Sequence, residues 1–146
     1  MTVQEFITNY KIDKDVMKHV KTKYIPYLKK VAVCQKIVKT TSYVDDKFMI
    51  DTPARIMFGL LSKVKLYTDI DVDFSKADEE FDALTESGMM DKIMGCIPDE
   101  EIARFNAILT MVADDFMINE RSVTSYLDHK IGTLTQSLGS IEEASN

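Results

Sequence analysis

The chain has 146 residues, a net charge of -6 and a hydrophobic fraction of 45%. That length fits one domain with room for a core, and no apolar run approaches the ~20 residues that span a bilayer. The opening MTVQEFITNY has neither the basic segment nor the apolar run of a secretory leader, which predicts an intracellular protein.

The charge is unevenly spread. Residues 1–50 hold ten lysines and five acids, a balance of +5; residues 51–146 hold eight basic residues and nineteen acids, a balance of -11. The basic part either docks on the acidic part within the fold or meets an acidic partner. Cys34 and Cys96 are far apart, each in an apolar helical pattern, and read as buried thiols rather than a disulfide.

In chain order, Thr2-x-x-Glu5 is a capping box that opens a short helix to about Tyr10, with Phe6 and Ile7 inward. Asp13 or Asp15 caps a second short helix bearing Val16, Met17 and Val20. Pro26 turns Ile25 towards an extended conformation and starts the next helix. Tyr27, Leu28, Val31, Val33, Cys34, Ile37 and Val38 form its apolar face, to about Lys39. Tyr43-Val44 and Phe48-Met49-Ile50 flank Asp45-Asp46-Lys47, which predicts a small β-hairpin within residues 43–50. Asp51-Thr52-Pro53 is a helix start, followed by a stripe of Ile56, Met57, Leu60, Leu61, Val64 and Tyr67.

Thr68 to Phe74 reads as a connector. Ser75-x-x-Asp78 resembles a capping box and opens a helix through Glu86 that buries Phe81 and Leu84; Gly88 terminates it in the left-handed region. Met89 to Ile97 is a short helix with Met90, Ile93, Met94 and Ile97 inward. Pro98 to Arg121 is the longest clean helical pattern. Ile102, Phe105, Leu109, Val112 and Phe116 recur at steps of three and four, widened by Ile108 and Met111. Ser122 caps a last helix carrying Val123, Tyr126, Leu127, Ile131, Leu134 and Leu138, and packing between these two helices is the expected seam, one that could extend into a homodimer. The expected fold is therefore all-α, a compact multi-helix bundle with one hairpin. It forms one domain over residues 1–139, with a flexible polar tail at 140–146.

Chemistry-bearing constellations are sparse. Asp69, Asp71, Asp73, Ser75 and Glu80 fall on the first, third, fifth, seventh and twelfth positions of a calcium loop, but Phe74 stands where the sharp turn needs glycine. Asp114 and Asp115 point about 100° apart on a helix and do not converge on one atom. His19 and His129 have no ligand at metal spacing, Cys34 has no base beside it in sequence, and five glycines make no phosphate loop. No catalytic residue, cofactor or metal is expected, and the protein reads as a non-enzyme.

Lys18, Lys21, Lys23, Lys29 and Lys30, interleaved with Tyr24 and Tyr27, form the one basic-aromatic patch. Arginine is absent from this half and the whole chain is acidic, which favours an acidic protein surface over nucleic acid. The candidate partner-binding residues are Lys21, Lys23, Tyr24, Lys29 and Lys30, with Asp69, Asp71 and Asp73 as an acidic counterpart.

The runs KTKYIPYLKKVAVCQKIV, DTPARIMFGLLSKVKLYTDIDVDF and FDALTESGMMDKIMGCIPDEEIARFNAILTMVADDFMINERS resemble a set of small helical proteins encoded by tailed phages and prophages of Gram-positive bacteria. The resemblance extends from about Thr2 to Leu138 and lies in helices and turn residues, not in a catalytic signature. It implies a phage-encoded protein that works by binding another protein, as a virion or assembly component, in the host cytoplasm or the virion. The alternative expectation is an intracellular inhibitor of a host defence or nucleic-acid-processing protein, with Asp69 to Glu80 and Asp99 to Glu101 presenting carboxylates.

Overall fold

The computed structural model describes residues 1–11 and 15–145, the side chains of 121–126, 128, 129, 133, 137 and 140–145 excepted. The protein is mainly helical, with one two-stranded antiparallel hairpin. Helix α1 (Val3–Tyr10) begins at the expected capping box: the Glu5 amide donates to Thr2 Oγ1 at 3.1 Å and the Thr2 amide to Glu5 Oε2 at 2.7 Å. The next helix shrinks to a 3₁₀ turn at Met17–His19, with Asp15 Oδ1 accepting from the Met17 amide; Asp13 lies outside the described residues. Helix α2 (Tyr27–Thr40) follows Pro26.

Strands β1 (Tyr43–Val44) and β2 (Lys47–Phe48) pair Tyr43 with Phe48 and Val44 with Lys47. Asp45 and Asp46, at φ 52° and 62°, form the two-residue turn whose hand suits the strand twist, and Asp tolerates that region. Helix α3 (Thr52–Tyr67) is capped by Asp51, which accepts from the Ala54 amide at 3.0 Å. Arg55 reaches back to Thr41 Oγ1 and Ser42 Oγ, each at 3.0 Å, which ties the start of α3 to the end of α2.

Residues 68–72 correct the expectation of a plain connector. The segment is extended and stitched to the N-terminal part: the Lys21 amide donates to the Tyr67 carbonyl, the Asp69 amide to that of His19 and the Asp71 amide to that of Met1. Ile70 and Val72 are each 2% exposed, while Asp69, Asp71 and Asp73 alternate outward. Asp-Ile-Asp-Val-Asp is a two-residue period, the pattern of a half-buried strand.

Helix α4 (Ala77–Glu86) follows a 3₁₀ turn at Phe74–Lys76. Ser75 does not cap α4 as expected: Asp73 caps the 3₁₀ turn by accepting from the Ser75 amide, Glu80 accepts from the Asp73 amide at 2.8 Å, and α4 follows Lys76 without a side-chain cap. Gly88, at φ 74°, makes the expected left-handed turn into α5 (Met89–Cys96).

Helix α6 (Asp99–Ser145) differs from the expected pair of helices by running without a break through Ser122. No seam between a central and a last helix therefore exists. Ser122, Val123, Tyr126 and His129 lie outside the described side chains, as do those of the expected tail from residue 140. The chain divides into two units, Met1–Val112 and Ala113–Asn146.

The first unit holds the core. Phe6, Cys34, Leu61, Val64, Tyr67, Leu84, Ile93 and Phe105 are among its most buried side chains. In α3 the stripe turns away from Ile56, 59% exposed, and takes in Ser62 and Lys63; in α6 Met111, 46% exposed, falls outside it. On α2 the buried line is Lys30, Cys34, Ile37 and Val38, whereas Tyr27 and Leu28 are 54% and 77% exposed. One helix face therefore contains a lysine and excludes two large apolar residues.

Lys30 is 2% exposed and Glu101 3%. Lys30 Nζ lies 2.7 Å from Glu101 Oε2 and donates to Oε1 at 2.9 Å. The Tyr67 hydroxyl donates to Oε2 at 2.7 Å and the Ile25 amide to the same oxygen at 3.3 Å. This carboxylate joins α2, α3, α6 and the segment before α2. Burial pushes its acidity towards the neutral form, but the hydrogen bonds from Lys30, Tyr67 and Ile25 and the Lys30 charge prevail and lower its pKa below the ordinary value. Burial, then hydrogen bonding to Glu101, raises the Tyr67 phenol.

Glu101→Gln leaves Lys30 buried without its counterion, and Lys30→Met leaves Glu101 only the longer 3.5 Å contact to Arg104; each is expected to cost about 3–5 kcal/mol in urea unfolding. Glu101 has the lower pKa in the folded state, so its contribution is full above the unfolded value of about 4.3 and is lost as pH falls through the folded one. Melting curves are expected to show that loss in the wild type below about pH 4.3, and Glu101→Gln to remove this component of it.

Candidate functional site

Helices α2 and α3 run antiparallel on either side of the hairpin. One end of the pair is tied by Arg55 to Thr41 and Ser42, the other by Lys30 and Tyr67 to Glu101. Between them opens a hollow of about 540 Å³. Its wall is apolar: Val33 and Ile37 from α2, Phe58 and Leu66 from α3, and Phe74 from the turn before α4. Phe58 and Phe74 stack with centroids 5.9 Å apart and planes 22° from parallel. Lys21, Lys29, Lys36 and Lys65 stand around it, all exposed. No acidic side chain lines it.

The lysines differ in their partners. Lys65 Nζ lies 3.5 Å from Asp71 Oδ1, donates to the Val72 carbonyl at 3.5 Å and sits 5.5 Å over the Phe74 ring. Among the described residues, the ammonium groups of Lys21, Lys29 and Lys36 have no ion-pair or hydrogen-bond partner. Lys29, Val33, Lys36, Ile37 and Thr40 recur at the spacing of one face of α2.

The candidate partner-binding residues separate into three groups. Lys21 and Lys29 border the hollow; Lys23 is exposed next to Tyr24, itself 57% exposed. With Tyr27 and Leu28 these residues form an open basic and apolar surface at the start of α2. Lys30 is corrected: it is buried, with Nζ 5.0 Å from the Tyr24 ring centroid as well as on Glu101, and cannot meet a partner.

Asp69, Asp71 and Asp73 are engaged separately. Asp69 faces His19, with Nδ1 3.1 Å from Oδ1, and His19 packs edge-on against Phe6 at 5.2 Å. Asp71 pairs with Lys65, and Asp73 accepts from the Ser75 hydroxyl at 2.6 Å. Asp71 and Asp73 border a second, more polar hollow of about 820 Å³ shared with Lys76, Glu79 and Glu80. Ser75's hydrogen bonds lower Asp73, while burial raises Glu80. Among the described residues no group of three His, Cys, Asp or Glu side chains could hold a metal ion.

Sequence reasoning missed Lys36, Lys65, Phe58, Ser62 and Phe74. The spacing of Lys29, Val33, Lys36 and Ile37 was a usable signal; the pairing of that face with α3 and Phe74 was not. Cys34 is fully buried, and burial pushes its thiol up to about 11, so it carries no thiolate at neutral pH. Lys63, lowered by burial, donates to Asn106 Oδ1 at 2.7 Å and lies 4.8 Å over the Phe105 ring.

Charge reversal separates the two roles of neighbouring lysines. Lys29→Glu and Lys36→Glu are expected to change unfolding free energy by less than about 0.5 kcal/mol, as exposed side chains do. Lys30→Glu sets a second carboxylate beside Glu101 and is expected to cost more than about 3 kcal/mol in the same urea titration.

No protein-family model, curated protein or solved structure matches this chain.

Proposed function

We propose that this protein is a non-enzymatic binding module that docks on an acidic surface of another protein. The observation that carries this reading is the start of α2, where Tyr24, Tyr27 and Leu28 are 57%, 54% and 77% exposed beside Lys21, Lys23 and Lys29. Large apolar side chains ringed by lysines supply the buried anchors and the polar rim of a protein interface. A patch of this kind gives affinity through its apolar members and orientation through its charges. The resemblance to small phage proteins makes the partner a phage structural protein, and the setting a virion or an assembly intermediate.

The alternative, an inhibitor of a host nucleic-acid-processing protein, is favoured by a different face. Asp78, Asp82 and Glu86 are all exposed at four-residue steps along α4 and, among the described residues, have no cationic partner. A row of carboxylates on a helix imitates the charge of a phosphate backbone. Affinity capture of the tagged protein from phage-infected cells, read by mass spectrometry, discriminates the two. Lys21→Glu/Lys23→Glu/Lys29→Glu with Leu28→Ala is expected to abolish capture of a phage structural protein and leave the melting temperature within a few degrees. Loss of capture on Asp78→Asn/Asp82→Asn/Glu86→Gln, with the lysine variant unaffected and a host protein as the prey, would falsify the first reading.

The second unit offers a self-association surface in the same spirit. Leu127, Ile131, Leu134 and Leu138 are 51–63% exposed at steps of four, three and four. That spacing matches the seam of a coiled coil, and most helical stability in proteins comes from packing of an amphipathic face. We propose that it pairs with a second copy. Sedimentation equilibrium is expected to give a dimer, and Ile131→Asp/Leu134→Asp a monomer. No helix among the described residues is long and apolar enough to cross a membrane.

A further inference from the structure

We propose that the hollow between α2 and α3 binds a small amphipathic monoanion, an acyl chain with a carboxylate head. Its volume of about 540 Å³ lies within the range of small-molecule sites. The wall made by Val33, Ile37, Phe58, Leu66 and Phe74 suits a hydrocarbon body. Around it stand three lysines that lack a counterion among the described residues. Lys21, Lys29 and Lys65 belong to the end where α2 begins and α3 finishes; Lys36 lies two turns along α2. The head of the ligand therefore meets the lysine-rich end and its chain runs towards Thr40, about 16 Å from Lys29 along the helix.

The lining also narrows the ligand. Lysine offers a compact charge, without the planar fork by which arginine grips phosphate or carboxylate in one geometry. No acidic or amide side chain lines the hollow, and beyond the lysines its polar side chains are two hydroxyls, Thr40 and Ser62, few for the sugar hydroxyls and base amines of a nucleoside. Ser62 also lines the hollow: the residue is 5% exposed, and since no buried polar side-chain atom among the described residues lacks a partner, its hydroxyl opens onto the hollow, where a head or chain-borne polar group could meet it.

The site does not depend on the protein partner proposed above, and its test uses none. Calorimetric titration of the full chain with dodecanoate, held below its micelle-forming concentration, is expected to give saturable one-to-one binding. Dodecanol, which keeps the chain and loses the charge, is expected to bind roughly tenfold more weakly. Lys21→Gln/Lys29→Gln is expected to weaken dodecanoate by a similar factor and leave dodecanol unchanged. Val33→Trp fills the hollow from α2 and is expected to remove both; Thr40→Trp, at an exposed position on the opposite end, gives the same result should Val33→Trp unfold. Absence of saturable heat overturns the proposal, as does binding that both tryptophan variants leave intact, or equal affinity for the alcohol and the acid. Displacement of dodecanoate by a tighter-binding acidic peptide with apolar side chains also overturns it, because the hollow would then be part of a protein interface.

Discussion

A single carboxylate sets the arrangement of the first unit. Glu101 receives a lysine, a phenol and a backbone amide from three separate stretches of chain, and all four groups are inside. Removing two charges from water costs several kcal/mol for each ion, and close attraction repays it only when the remaining lone pairs are also filled. Here they are filled. Each donor therefore has one place to stand: α2 must present Lys30 inward, α3 must end with Tyr67 beside it, and Ile25 must be extended with its amide pointing in. An apolar trio of similar volume could be as stable, but it would tolerate a rotation of α2 that this geometry does not.

That constraint determines the outer surface as well. Neighbouring residues on a helix point about 100° apart. With Lys30 fixed inward, Lys29 is turned to the hollow and Leu28 to solvent, while Tyr27 is exposed at the first position of the helix. The exposure of Leu28 is thus a consequence of burying a charge two residues later. Part of the charge asymmetry of the chain is consumed inside by Lys30 and Glu101, and another part at the Lys65–Asp71 contact. What remains at the surface includes a basic region at the start and along one flank of α2.

Local signals in the sequence were legible and long-range ones were not. Thr2 with Glu5, Asp51 with Pro53, the Asp45-Asp46 turn and Gly88 each act within a few residues, and each is found where expected. Lys30 was half legible: it stands four, seven and eight residues before Cys34, Ile37 and Val38, so it shared their face, but its partner lies 71 residues away. In Asp69 to Asp73, composition and period point in opposite directions. Five residues with three acids look solvated; the two-residue alternation says that Ile70 and Val72 are inside. In α6, Ser122 looked like a cap, yet serine is also tolerated within helices, and the apolar spacing continued past it. The hollow was the least legible feature, since it needs one face of α2, one of α3 and Phe74 together.

The hollow and its lysines present the molecule with two unfavourable terms that share a remedy. Like charges gathered on one side of a fold repel one another, and an apolar recess left open forgoes the dispersion contacts that a filled core would have. Burying Lys21, Lys29 or Lys36 against the recess would remove the second term at a larger desolvation cost, so their ammonium groups stay in water while their stems flank the apolar wall. Water in the recess removes neither term. A neutral apolar guest removes one and a hydrophilic anion the other. A guest that is apolar along its length and anionic at its end removes both, and it adds a counterion to lysines that have none among the described residues. The internal arrangement leaves the anion site open to such a guest: among the described residues Glu101 is the one buried carboxylate, and it is already occupied by Lys30.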